Sequence, residues 1–202
     1  MVERAVLISI QPKWCELIAS GRKTIEVRKT KPNIPTPFKC YIYETKAIYK
    51  PSRSPCLFQG RGKVIGEFVC DGILSRCEMA NADIAEQQGC IKREDLIRYA
   101  CGKELYGWHI SDLIIYDKPK ELSEFCVIDK DKLKECPYRE RICQNPEFTN
   151  GNYLLGGYSC SKTKEPDFDI IDFCRGGCAD VFKPLTRPPQ SWCYVERVEG
   201  EQ

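Results

Sequence analysis

The sequence predicts an α+β domain in which short strands outnumber short helices. Three observations point there. Apolar, aromatic or β-branched runs of strand length recur at residues 5–10, 24–29, 38–44, 63–73 and 106–116. Helical spacing is confined to brief stretches between them, and proline or glycine marks most of the joints.

In chain order, Ala5 to Ile10 (A-V-L-I-S-I) is a compact apolar strand. Gln11 to Ser20 reads as a short amphipathic helix: Pro12 suits a first turn, Trp14, Leu17 and Ile18 recur at helical spacing as its buried stripe, and Gly21 suits the C-terminal cap. Thr24 to Lys29 alternates, with Thr24, Glu26 and Arg28 on one face and Ile25 and Val27 on the other. Pro32, Pro35 and Pro37 impose an extended loop before the strand Phe38 to Glu44. Residues 45–62 form a long loop carrying Lys46, Lys50, Arg53 and Arg61, of a length more often functional or disordered than merely connecting. Lys63 to Ile73 is one long strand bent at Gly66 and Gly72. Ala80 to Gln88 and Arg93 to Ala100 are short helices, and Tyr106 to Tyr116 is a strand closed by Lys118-Pro119.

Net charge is +2, but it is unevenly spread. Residues 1–63 hold thirteen Lys/Arg against four acids, a balance of +9, which leaves −7 for the remainder. A basic first third suits phosphate or nucleic acid, with solubility patterning as the bland alternative. Val2 to Gln11 is too short and too charged for a secretory signal, and no stretch approaches the ~18 apolar residues of a membrane span. The expectation is a soluble, cytoplasmic protein, in which the fourteen cysteines stay reduced.

The chemistry concentrates in Gly21 to Arg28, G-R-K-T-I-E-V-R. Arg28 is a planar donor suited to carboxylate or phosphate, Lys23 a mobile point charge, and Glu26 an acceptor for an amino group or a base. Together they could hold a nucleotide, or they could be no more than a surface salt bridge. Lys13 and Trp14 could border the same cleft. Trp108 and Trp192 could stack on a base or pack in the core. His109, the only histidine, is a weaker acid-base candidate. Tyr41, Tyr43 and Tyr49 among Lys39, Lys46 and Lys50 give the aromatic and basic interleaving that binds single strands.

The spacing Gly21-x-Lys23-x-x-Glu26-x-Arg28 after a short helix resembles the signature of the ASCH domain family, within the PUA-like superfamily. Gly107-Trp108-His109-Ile110 and Pro188 to Val195 resemble its Firmicutes and phage forms. The resemblance implies a small, mixed PUA-like β-barrel of five or six strands with short flanking helices. It also implies a division into a barrel at 1–126, a Cys-rich and mostly irregular insertion at 127–187, and a final barrel strand with tail at 188–202 that closes the barrel.

The insertion holds Cys136, Cys143, Cys160, Cys174 and Cys178 among many turn residues. Such a piece cannot easily bury a core unaided, and a structural zinc on four of these thiolates would stabilise it. The spacings, six residues between Cys136 and Cys143 and three between Cys174 and Cys178, are not the compact zinc knuckle. Buried thiols, an iron-sulfur cluster or disulfides remain alternative readings.

Two function classes follow. The resemblance implies a nucleic-acid-binding module, for RNA or a nucleotide, using Lys13, Lys23, Glu26, Arg28, Lys46, Lys50, Arg53 and Trp108. It also implies an alternative, a hydrolase in which Lys23, Glu26, Arg28 or His109 would be catalytic, acting as a ribonuclease or on N4-acetylcytidine. In related amidohydrolases the lysine matching Lys23 is catalytic, but their threonine nucleophile falls where this chain has Glu26. Thr24 would be displaced by about 7 Å, two residues of strand.

Overall fold

In a computed structural model of the protein, the described residues are 5–49, 57–75, 78, 84–128 and 182–197. Residues Ala5–Ile10 form β1, buried along its whole length, and Pro12–Ala19 form α1 with Pro12 in the first turn. Gly21 follows at φ +71, the left-handed geometry that glycine adopts without Cβ strain. The chain then enters β2, Ile25–Arg28. β3 is Phe38–Glu44, β4 Ile48–Tyr49, β5 Phe58–Gln59, β6 Val64–Cys70 and β7 Ile73–Leu74. A π-helical turn at Ile84–Gln88 and α2, Arg93–Ala100, precede β8, Tyr106–His109, and β9, Ser111–Lys120. A 3-10 turn at Leu122–Glu124 leads to β10, Phe125–Ile128; β11 is Phe182–Pro184 and β12 Trp192–Arg197.

The chain divides into two compact units. The larger comprises Ala5–Leu122 with Arg187–Cys193. Its main ladder runs β1-β3-β6-β9, with β1 parallel to β3 and the other pairs antiparallel. A second sheet, β2-β8-β7, is antiparallel throughout. Ile25 and Val27 on one face of β2 join Ala85, Leu96 and Leu105 in a hydrophobic cluster, so burial of that face fixes the register of the polar one. In the smaller unit, β10 pairs antiparallel with β11 and with β12.

The mixed α+β class holds, but the expected closed barrel does not. In the larger unit the ladder from β1 ends at β9, and no described pairing joins β9 back to β1. The strand expected to close the barrel, β12, pairs Phe125 with Arg197 and Cys126 with Glu196 on β10, and its other neighbour in the sheet is β1, not β9, so the sheet stays open at β9. β9 is an edge strand carrying Asp112, Asp117, Lys118 and Pro119, residue types that discourage further strand addition.

Two long strands expected from the sequence are each divided. Lys63 to Ile73 breaks at Asp71 and Gly72, and Tyr106 to Tyr116 breaks at Ile110. Gly66 does mark an irregularity: the register with β9 shifts there, and a Cβ on it would lie 2.3 Å from the Ile114 carbonyl. β9 also runs on through Pro119 to Lys120, past the point where the proline was expected to stop it.

Candidate nucleotide-binding site

The polar face of β2 is built from the helix stop outward. After Gly21, the backbone N–H groups of Arg22 and Lys23 both donate to the Leu17 carbonyl, which turns the Lys23 side chain inward. Thr24 N–H donates to the Gln88 carbonyl and the Thr24 carbonyl accepts from Ile110 N–H, locking the start of β2 between the π-helical turn and the end of β8. Lys23, Glu26 and Arg28 are consequently buried, at 2 %, 6 % and 8 % exposure, and not part of a surface salt bridge.

Glu26 lies between the two cations. Its Oε1 is 3.0 Å from Arg28 Nη2 and its Oε2 3.5 Å from Lys23 Nζ. Lys23 Nζ also donates to the Gly89 carbonyl at 2.6 Å, and Arg28 Nη2 to the Ser9 carbonyl at 2.6 Å. Burial pulls the Lys23 ammonium below the ordinary lysine range, and the Glu26 carboxylate partly opposes that shift. Two buried cations therefore share one carboxylate.

Trp14 belongs here too. The buried stripe of α1 is Pro12, Cys15 and Ile18, and Trp14 is only partly buried. Its ring lies 5.0 Å from Lys23 Nζ and 4.1 Å from the exposed Lys13 ammonium, within cation–π range. Helical spacing alone assigned Trp14 to the core, because an indole beside an aliphatic stripe fits either role. Cys15 beneath it is a core thiol, its ionisation suppressed by burial.

The other sequence candidates divide sharply. Trp108 is fully buried, edge-on to Phe38 at 5.8 Å and tilted against Trp192 at 6.0 Å, so no ring face is open to a stacked base. Tyr41 and Tyr43 are likewise 4 % exposed, which removes them from the expected single-strand platform. Register pairs Trp108 with Glu26 and His109 with Ile25, so His109 projects from the face opposite Glu26. There its Nδ1 meets Asp71 Oδ1 at 2.6 Å, with both side chains nearly half exposed, and the hydrogen bond from the imidazole holds Asp71 below the usual carboxylate range. The motif and His109 do not converge on one reacting atom.

Lys46 is exposed on the loop after β3. Nearby, Arg61 N–H donates to the buried Glu44 carboxylate at 2.7 Å. Lys50, Arg53 and the insertion cysteines Cys136, Cys143, Cys160, Cys174 and Cys178 lie outside the described residues. Among the described residues no group of three or more His, Cys, Asp or Glu side chains is placed to hold a metal, and no helix is long and apolar enough to cross a membrane.

Sequence reasoning missed Ser9, Gly89 and Thr30. Ser9 takes Arg28 on its carbonyl, while its hydroxyl donates to Pro189 O at 2.7 Å and its N–H to Ser191 O at 2.9 Å. Thr30 Oγ1 accepts from Trp192 Nε1 at 3.0 Å. Backbone acceptors such as Gly89 O leave no residue-type signal, and the serine inside an apolar strand was the one visible hint.

Comparison with known proteins follows the same lines. The chain is similar in structure to the ASCH protein of Zymomonas mobilis, at 20% identity and a TM-score of 0.44, covering 72% of this chain and 91% of that one. Two single-residue variants of that protein, one tyrosine-to-phenylalanine and one serine-to-alanine, match at 19% and 20% identity with TM-scores of 0.44 and 0.45. They cover 73% and 75% of this chain, and 94% and 96% of theirs. No curated protein matches the chain. The sequence profile of the ASCH domain matches residues 8–135, well over half of the chain and including the whole Gly21 to Arg28 motif. The chain belongs to the ASCH domain family.

Proposed function

We propose that this protein binds RNA or a nucleotide through the Lys23–Glu26–Arg28 face of β2. One observation carries the reading: two buried cations share a single carboxylate, which leaves an excess positive charge beneath the surface. Burying charge without full compensation is costly, and an anionic ligand supplies the missing compensation. Lys13 beside Trp14, and the basic residues Lys46, Lys50 and Arg53, would extend the contact along a phosphate backbone.

A second reading has its own observation. The lowered Lys23 ammonium lies closer to a neutral, proton-accepting amine than an exposed lysine does, as a hydrolase acting on RNA or a modified nucleoside requires. Against it, Glu26 occupies the nucleophile position of the related amidohydrolases and both its oxygens face cations.

Labelled single-stranded RNA and acetylated cytidine, each incubated with wild type and Lys23→Ala, separate the two. RNA that stays intact and binds more weakly to the variant supports binding. Product that disappears with the variant supports turnover, and no binding by wild type to any RNA or DNA at low salt leaves a small nucleoside-like ligand or a protein partner. Zinc in the insertion is a separate proposal, as is the affinity with Firmicutes and phage forms.

A further inference from the structure

Among the described residues, two buried donors on the face of Glu26 have no hydrogen-bond partner: Arg28 Nε and the Trp108 indole N–H. Trp108 is the direct cross-strand partner of Glu26, and Arg28 lies two residues further along the same strand, so all three side chains project from one face. Trp108 is fully buried and Arg28 is 8 % exposed. An N–H withdrawn from water without an acceptor carries its full desolvation penalty, and native structures rarely leave one so without a reason. Neither reaches Glu26, whose Oε1 faces Arg28 Nη2 and whose Oε2 faces Lys23.

The buried polar atoms left unsatisfied on this face are therefore both donors. We infer that the group taken by the site is an oxygen acceptor, a nucleobase carbonyl or a phosphate oxygen, bound by Trp108 Nε1 and Arg28 Nε, and not an amino group given to Glu26. This rests on the nucleotide reading of the site and narrows it to the polarity of the bound edge. Trp108 thereby becomes a recognition residue through its nitrogen, in a position where its ring face is closed to stacking.

Trp192 is the neighbouring indole: its half-buried ring lies 6.0 Å from that of Trp108, and its Nε1 donates to Thr30 Oγ1.

The chain holds three tryptophans, and all three lie around the site, so its indole N–H resonances give three separate reporters once Trp→Phe variants assign them. Trp14, beside Lys23, reports occupancy. The probes are uridine, inorganic phosphate and uridine monophosphate, titrated into the full chain. The expected result is a downfield shift of the Trp108 N–H with a concurrent shift of Trp192. A response to uridine identifies a base carbonyl, and a response to phosphate alone a phosphate oxygen.

If Trp14 shifts to saturation while Trp108 does not move, the acceptor inference is overturned and the nucleotide reading stands. If none of the three moves with any probe, the nucleotide reading fails and takes the inference with it. Trp108→Phe, where its spectrum remains dispersed, should weaken uridine monophosphate about three- to tenfold. An unchanged affinity in that folded variant also overturns the inference.

Discussion

Lys23 donates to the carbonyl of Gly89 at 2.6 Å, tying the motif to a backbone segment sixty-six positions later. The same ammonium faces Glu26 at 3.5 Å, so its charge is held by one carbonyl and a share of one carboxylate. The stability of the site and its ligand chemistry therefore rest on the same few atoms.

Glu26→Gln removes the one negative charge between Lys23 and Arg28 and leaves both cations buried. Breaking a buried ion pair from one side costs about 3–5 kcal/mol, and that is the loss expected in urea unfolding. Lys23→Met keeps the Glu26–Arg28 pair and should cost clearly less. Equal losses in the two variants would contradict the shared-carboxylate arrangement.

The lowered Lys23 pKa fixes the sign of a pH effect. Between its folded value and the unfolded value near 10.5, the unfolded chain binds more protons than the folded one, so stability rises with pH across that window. Below the folded value the ammonium is charged in both states and the burial cost is fully present. Urea unfolding at intervals from pH 7 to about 10 should therefore show wild type gaining stability relative to Lys23→Met as pH rises. A difference that stays flat would mean that burial does not depress the lysine.

If residues 1–63 track a nucleic-acid backbone, affinity for single-stranded RNA should fall steeply with salt. Each phosphate contact contributes a slope of about 0.7 in log affinity against log salt, so replacing Lys46, Lys50 and Arg53 by alanine should flatten it by about 2. A weaker affinity with an unchanged slope would place those residues away from the phosphates.

Much of the architecture was legible because it depends on local pattern. The alternation of Ile25 and Val27 with Glu26 and Arg28, the glycine stop at Gly21 and the helix at Arg93–Ala100 all appear where residue types placed them. Pairing partners were not legible. Nothing local in Trp192 to Arg197 says that it pairs with β10, since strand pairing depends on which edge is free in three dimensions. The site shows the same division: the motif is visible in the sequence, whereas the fold closes Trp108 to stacking and sets His109 on the far face.

The insertion cysteines give a prediction independent of the site. If four of Cys136, Cys143, Cys160, Cys174 and Cys178 hold zinc, elemental analysis of protein purified without chelator should find about one equivalent, the stoichiometry of a closed four-ligand site. Chelation should then expose reactive thiols and leave the Trp14 indole resonance in place. Metal-free protein with unreactive thiols would support packing against a core instead.

Ser9 hydrogen-bonds Pro189 across 180 positions and Ser191 beside it, while its carbonyl holds Arg28. On the ribosome, β1, α1 and β2 emerge long before residues 189–191 exist, so the first strand must wait for those residues to be made before these contacts can form. A contact of such long range adds loop-closure entropy to the folding barrier. The motif would then gain this support only once residues 189–191 are made, and a ribosome-stalled chain ending before Pro188 should be the more readily digested by protease around Arg28.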